Sequence, residues 1–249
     1  MQRYFFKTNQ IVDEVITVTG EDVHHIVNVM RMEVGDRFFL CSDEQVTYLV
    51  AVTAISKAEV VTRIIEQRNE NVEMPIFITL AQGIAKGDKF DAVVQKATEC
   101  GISTFIPVAM KRSIAKIDEK KLAKKLSRWE KIALEATRQS HRQVVPKIEA
   151  PIDIKKLISL SKDYDVCFFA YEAHTSEVAG KLAQIAAELQ PGMRVLALIG
   201  PEGGIDVDEV MQLVNADFKM VGLGPRIMRT ETAPIYLLSA LSYALEIRG

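Results

Sequence analysis

The chain has 249 residues, 48% hydrophobic and 26% charged, with a formal net charge of −2. This balance reads as a soluble globular protein and excludes the disordered and fibrous classes. Met1–Lys7 holds no apolar core of signal-peptide length, and the apolar stretch Ile235–Leu245 is too short to span a bilayer, so a cytoplasmic protein is expected. Cys41, Cys100 and Cys167 lie far apart without CxxC spacing, which reads as buried thiols and not as a disulfide frame or a zinc site.

In chain order, the first 70 residues give short strands separated by turns. Val12–Val18, Arg37–Cys41, Val46–Val52 and Ala58–Ile65 are the strand candidates, with turns at Gly35-Asp36 and Ser42–Glu44. One short helix, about Glu21 to Met30, interrupts them, and strands at this spacing suggest a small barrel. His24 and His25 are adjacent on that helix and so diverge. With the isolated His141 and His174 they are read as non-metal, and no metal is expected. The polar stretch Glu66–Asn71 is the natural linker, giving domains of 1–70 and 73–249.

From Pro75 onward the pattern changes. Ile76–Leu80, Val166–Ala170 and Val195–Ile199 are apolar throughout and alternate with helical stretches, which implies an α/β domain with a mostly parallel sheet covered on both faces. Lys120–Gln143 places Leu122, Leu126, Trp129, Ile132, Ala133 and Ala136 at helical spacing, a core stripe with lysines opposite. Between Lys111 and Lys147, twelve Lys/Arg stand against four Asp/Glu, a net charge of +8 that leaves about −10 on the rest of the chain. Such a segment is either a phosphate footprint or an ordinary solvated helix face.

Parallel sheets bind ligands outside the carboxyl ends of their strands. Val195–Ile199 exits into Gly200-Pro201-Glu202-Gly203-Gly204, and Asp206 with Glu209 has the spacing of an N-cap and its N3 partner. The glycine spacing is not that of a dinucleotide fold. The run Gly83–Lys89 also fails as a phosphate loop, because no Ser or Thr follows its last lysine. Downstream, Leu223-Gly224-Pro225-Arg226-Ile227-Met228-Arg229-Thr230-Glu231-Thr232-Ala233-Pro234 follows a short strand, Lys219–Val221, and opens the last helix. There Thr232 is placed to cap and Pro234 sits in the first turn. Two arginines and a glutamate beside a Gly-Pro turn suggest a polar ligand site.

The two loops together resemble the SPOUT superfamily of methyltransferases, and within it the bacterial 16S rRNA (uracil-N3)-methyltransferase family. The similarity extends to Arg3–Phe5, His24–Ile26, Val29–Met32 and Gly35-Asp36, then to Gln95–Gly101, Arg112-Ser113, Glu135–Ser140, Arg142 and Pro146. Met228 stands where the family usually has leucine.

This resemblance implies a PUA-like RNA-binding β-barrel followed by a SPOUT domain whose C-terminal chain threads a trefoil knot. It implies S-adenosyl-L-methionine as cofactor, held by Leu198, Ile199, Gly200, Glu202, Gly203, Leu223, Gly224, Ile227, Met228 and Arg229. The expected reaction is methylation of N3 of a uridine in 16S rRNA of the small ribosomal subunit. Arg229 would stabilise the uracil anion, and Glu172 or Glu231 would take the proton, unless Arg229 and Glu231 merely pair with each other. Arg3, Arg31, Arg112, Arg138 and Arg142 would hold RNA phosphates. A homodimer is expected, with no membrane partner. Alternatives left open are ribose 2′-O or tRNA-base methylation, and a non-catalytic ribosome-assembly factor with the same fold.

Overall fold

The computed structural model describes residues 1–70, 72–113, 119–172 and 180–248. Asn71 and His174 lie outside them, as do Lys116 and Asp118 of the basic segment. The chain divides into two units: residues 1–73 with 137–144, and residues 74–136 with 145–249. The first division falls between Glu73 and Met74, and Glu66–Arg68 of the expected linker belongs to a strand; the return of Thr137–Val144 to the first unit has no counterpart in the sequence pattern.

In the first unit, β1 (Arg3–Phe6), β2 (Ile11–Val12), β3 (Val15–Thr19), β4 (Arg37–Ser42), β5 (Thr47–Ile55) and β6 (Glu59–Arg68) form one sheet in the order β1-β4-β5-β6-β3-β2. Among the described residues this path is open, a curled sheet and not a closed ring. β1 runs parallel to β4, and the remaining pairs are antiparallel. Irregular register at Leu49/Val50 and Val52/Ala54 bends the sheet over its core of Tyr4, Ile16, Ile26, Phe38, Leu40 and Val50.

The single strand expected over Val12–Val18 is in fact a tight hairpin. Asp13 and Glu14 take left-handed φ values of 49° and 64°, and Val12 pairs with Val15. The turn lacks the Asn-Gly that normally announces it, and Asp13-Glu14 stands in its place. The helix expected from Glu21 begins as α1 (Glu21–His24) and continues as a π-turn over His25–Val29, after which Arg31 adopts φ 52°.

The second unit holds a seven-stranded sheet in which every pair is parallel. β7 (Phe77–Gly83), β8 (Thr104–Ala109), β9 (Lys147–Ile148), β10 (Ile152–Asp153), β11 (Val166–Ala170), β12 (Arg194–Ile199) and β13 (Lys219–Val221) follow the order β10-β8-β7-β12-β11-β13, with β9 beside β8. Strand parity divides the core. Ile78, Leu80, Phe168, Val195 and Ala197 face one layer, and Ala81, Phe169, Leu196 and Leu198 the other.

Burying each large apolar side chain contributes roughly 1.5–3 kcal/mol, so strands covered on both faces read as continuous apolar runs. The first layer includes α2 (Lys89–Glu99) and α3 (Glu119–Gln139), where Phe90 packs on Trp129 at 4.7 Å and the indole N–H donates to Asp91 at 3.0 Å. α3 ends four residues short of the expected Gln143. His141 turns left-handed at φ 59°, and Arg142 N–H closes back on Thr137 C=O at 3.1 Å. Histidine serves there in place of the glycine that would have signalled the stop.

α4 (Ile154–Leu160), α5 (Lys181–Glu188), α6 (Val207–Asn215) and α7 (Ala233–Ser242) complete the unit. Among the described residues no helix is long and apolar enough to cross a membrane.

Candidate active site

Because all seven strands run the same way, the ends of β7, β8, β11, β12 and β13 emerge on one edge of the sheet. There Gly200–Ile205, leaving β12, and Leu223–Glu231, leaving β13, wall a cleft of about 700 Å³, within the range of small-molecule sites. Ala170–Glu172, Lys89 and Arg112 complete the lining. A second groove of about 580 Å³ at the opposite edge, lined by Phe77, Thr79, Tyr164 and Arg194, contains neither loop.

The loops are held by contacts that only small residues allow. A β-carbon on Gly83 would lie 2.4 Å from Pro201 N, and one on Gly203 would lie 2.8 Å from Arg112 O. Gln82, fully buried at the end of β7, donates Nε2–H to Thr230 Oγ1 at 2.9 Å, and the Thr230 hydroxyl donates to Gly200 C=O at 2.7 Å. Gly224 adopts φ +94° where the second loop turns. The two loops are therefore braced against β7 and against each other through backbone contacts.

α6 fixes the far end of the first loop. Asp206 Oδ1 accepts from Asp208 N–H at 3.2 Å, and Glu209 Oε2 accepts from Asp206 N–H at 3.2 Å, which is the expected capping pair. The buried Glu209 also accepts Lys111 N–H at 2.8 Å, tying the 110–113 turn to the helix. The Lys111 ammonium, followed by the Asp208 N–H, holds the Asp206 carboxyl below its usual range, and Arg112 adds a weaker push the same way. At α7 the expectation fails: Thr232 occupies the cap position in helical conformation and its side chain makes no capping bond, although Pro234 does sit in the first turn.

Nine of the ten residues expected to hold the cofactor line the cleft: Ile199, Gly200, Glu202, Gly203, Leu223, Gly224, Ile227, Met228 and Arg229. Leu198 does not; its side chain is fully buried in the core with Leu196. Glu172, Arg229 and Glu231 also line it. The Arg229–Glu231 pair is not formed. Glu231 instead stands 3.6 Å from Lys89 Nζ, and the Lys89 ammonium lies 3.5 Å from Glu202. Lys89, Gln82, Gly83 and Thr230 are thus site residues that the sequence did not single out. Gly83 and Lys89 lie in the glycine-lysine run that fails as a phosphate loop and Thr230 in the second loop, whereas Gln82 carries no local signal.

The arginines separate into two groups. Arg31 is exposed, and Arg112 is half-exposed beside the cleft, where it pairs with Asp206 at 3.3 Å. Arg3, Arg138 and Arg142 are buried in the first unit. Arg3 pairs with Glu70 at 2.7 Å; Arg138 pairs with Asp22 and lies over the Tyr4 ring at 5.2 Å; Arg142 pairs with Glu73, which also accepts Gln143 N–H and Val144 N–H. All three guanidinium groups are desolvated and paired with carboxylates of the first unit. His25 is likewise occupied, its Nδ1 2.8 Å from the Tyr4 hydroxyl.

Residues 72–242 match the family described as RNA methyltransferase domain, and residues 18–65 match the RNA methyltransferase PUA domain. The ribosomal RNA small subunit methyltransferase E of Bacillus subtilis (strain 168) is 44% identical over 251 residues, covering 99% of this chain and 98% of that one. The chain belongs to the ribosomal RNA small subunit methyltransferase E family. Among solved structures, the family's protein from Neisseria gonorrhoeae, bound to S-adenosyl methionine, is 27% identical, covers 97% of each chain and superposes with a TM-score of 0.84. A Legionella pneumophila methyltransferase in complex with the same cofactor is 29% identical at the same TM-score and coverage. The expected PUA-like and SPOUT-type domains are both present.

Proposed function

We propose that this chain methylates N3 of a specific uridine in 16S rRNA of the small ribosomal subunit, with S-adenosyl-L-methionine as donor. The observation that carries the reading is the glycine-walled cleft at the strand exits, into which nine of the expected cofactor residues converge. Its lining holds acceptors without donors: Glu202 Oε2 and Glu231 Oε2 are buried with no hydrogen-bond partner among the described residues. Buried carboxylate oxygens without donors are costly unless a ligand supplies them.

When bound, the cofactor supplies a methyl group activated on a sulfonium. The chain's own task is alignment. The Gly200–Gly204 and Leu223–Glu231 walls fix the donor, and a base seated against Arg229 and Glu231 presents its N3 edge, positioning that accounts for much of the rate in such displacements. N3 lies on the pairing edge, so the uridine enters unpaired or turned out of its helix. The assembled small subunit is the proposed substrate and the cytoplasm the proposed location. The trefoil threading is supported by the interlock of Gly83, Gly200 and Thr230. A homodimer is supported by the exposed Tyr236, Tyr243 and Ile247 at the C-terminal helix. Phosphate contacts fall to the exposed Arg31 and to the exposed lysines of α3, in place of Arg138 and Arg142.

Titration calorimetry with S-adenosylmethionine tests the cofactor: absence of binding would remove the enzyme reading. Primer extension on rRNA from a deletion strain tests the base. An N3-methyl group stops reverse transcriptase, so a stop that disappears in the strain marks the target, and one that persists would overturn the uracil-N3 assignment.

A further inference from the structure

We propose that Lys89 and Glu231 together read the uracil edge, and that Lys89 stabilises the charge that develops on the base; this rests on the uracil-N3 reading above. Lys89 opens α2 and sends its ammonium between the two loops of the cleft, 3.5 Å from Glu202 Oε1 and 3.6 Å from Glu231 Oε2. Glu202 is further fixed by Lys86 N–H, which donates to Oε1 at 3.1 Å. Both ion-pair contacts are long, the lysine side chain is 41% exposed, and Glu231 Oε2 is buried with no hydrogen-bond partner among the described residues. A carboxylate with one oxygen lacking a hydrogen-bond partner thus stands beside a reachable ammonium donor.

Uracil presents N3–H between two carbonyl oxygens, so its edge reads acceptor, donor, acceptor. The carboxylate of Glu231 matches the N3–H and the ammonium of Lys89 matches an adjacent carbonyl oxygen. Cytosine breaks the match: its N3 carries a lone pair that would face the carboxylate, and with Lys89 set against the 4-position its exocyclic amine would face the ammonium. A site built to hydrogen-bond one edge rejects the other because its own buried groups are left unpaired.

In the reaction the N3 proton passes to Glu231, and the N3 electron pair forms the new bond to the methyl carbon. The carbon–sulfur bond breaks with its electrons returning to sulfur, giving a neutral thioether. Negative charge that spreads onto the carbonyl oxygen as N3–H ionises is met by Lys89, a fixed donor in a partly dehydrated cleft. The other charges on the cleft, Arg112, Glu172, Arg226 and Arg229, are not in ion-pair contact with Lys89.

The test uses the full chain and its Lys89→Met and Lys89→Arg variants, with small subunits from the deletion strain carrying either uridine or cytidine at the mapped position. Lys89→Met is expected to bind S-adenosylhomocysteine within about threefold of wild type. Its single-turnover methylation should slow by roughly 10²–10³-fold and become steeper with alkaline pH, with Lys89→Arg partly restoring the rate. Wild-type protein loaded with S-adenosylhomocysteine should prefer uridine subunits over cytidine ones, and Lys89→Met should weaken that preference while Glu231 keeps the part read at N3. Equal loss of cofactor affinity and rate would make Lys89 a brace for the cofactor loops and overturn the proposal, as would an unchanged rate and pH profile. If wild-type protein yields no N3-methyluridine, the reading beneath the proposal fails first, and that result is distinct from either of these.

Discussion

At Gly83 a β-carbon would meet Pro201 N at 2.4 Å and the proline Cδ at 2.6 Å, so β7 and the Gly200 loop touch through bare backbone. Gly83→Ala is therefore expected to push the first wall of the cleft outward. Overpacking of this kind costs about 1–3 kcal/mol, which for a chain of this size is a Tm lower by several degrees. Affinity for S-adenosylhomocysteine, read by calorimetry, should fall at least tenfold; unchanged Tm and affinity would show that the two loops do not bear on each other.

Burial pushes the Cys167 thiol up to about 11 and raises Cys41 and Cys100 as well. The thiolate is the reactive form, so alkylation by iodoacetamide at pH 8, followed by mass spectrometry, should be far slower in native than in urea-unfolded protein. The sign for stability follows from the raised folded value. The contribution is complete below the unfolded thiol's pKa near 9 and is lost as pH rises toward about 11. Native thiols that react as fast as unfolded ones would contradict this.

Among the elements, α6 matters less for its length than for its first turn. Glu209 accepts both Asp206 N–H and Lys111 N–H while itself buried, so one carboxylate caps a helix and anchors the turn that carries Arg112 to the cleft. Glu209→Ala strands two backbone donors and should destabilise the protein by about 1–3 kcal/mol in urea denaturation. A loss under 0.5 kcal/mol, on the order of an ordinary surface substitution, would mean water replaces the carboxylate. The neighbouring Asp206, held low chiefly by Lys111, contributes stability above the ordinary carboxylate range and loses it as pH falls through that range. At α7 no comparable side-chain cap exists.

For the molecule as a whole, the +8 segment divides according to burial. Arg142 is 3% exposed against Glu73, whereas Lys121, Lys124 and Lys131 on α3 are exposed. Arg142→Ala should cost about 3–5 kcal/mol by leaving a buried carboxylate unpaired, and the salt slope of RNA binding should not move. Replacing Lys121, Lys124 and Lys131 with glutamine should do the reverse, lowering the slope of log K against log salt by roughly two to three with stability nearly unchanged. A slope altered by Arg142→Ala in folded protein would return that residue to the RNA interface.

The sequence alone determined the layers of the fold, because strands buried on both faces must be apolar throughout and amphipathic helices must show a 3.6-residue stripe. It also determined the Asp206–Glu209 cap and the two loops, since a helix start and a glycine-lined close approach are local demands on residue type. Turns made without their usual residues were invisible: Asp13-Glu14 and His141 do what Asn-Gly and glycine normally do. Only the tertiary structure decided which charges are free. Arg138 and Lys121 look alike in a basic run, and what separates them is an acid 116 residues away, Asp22, that one finds and the other does not. Lys89 is the same lesson at the site. The glycine-lysine run around it does not reveal its role, because its partners, Glu202 and Glu231, reach it only when parallel strands bring their exits to one edge.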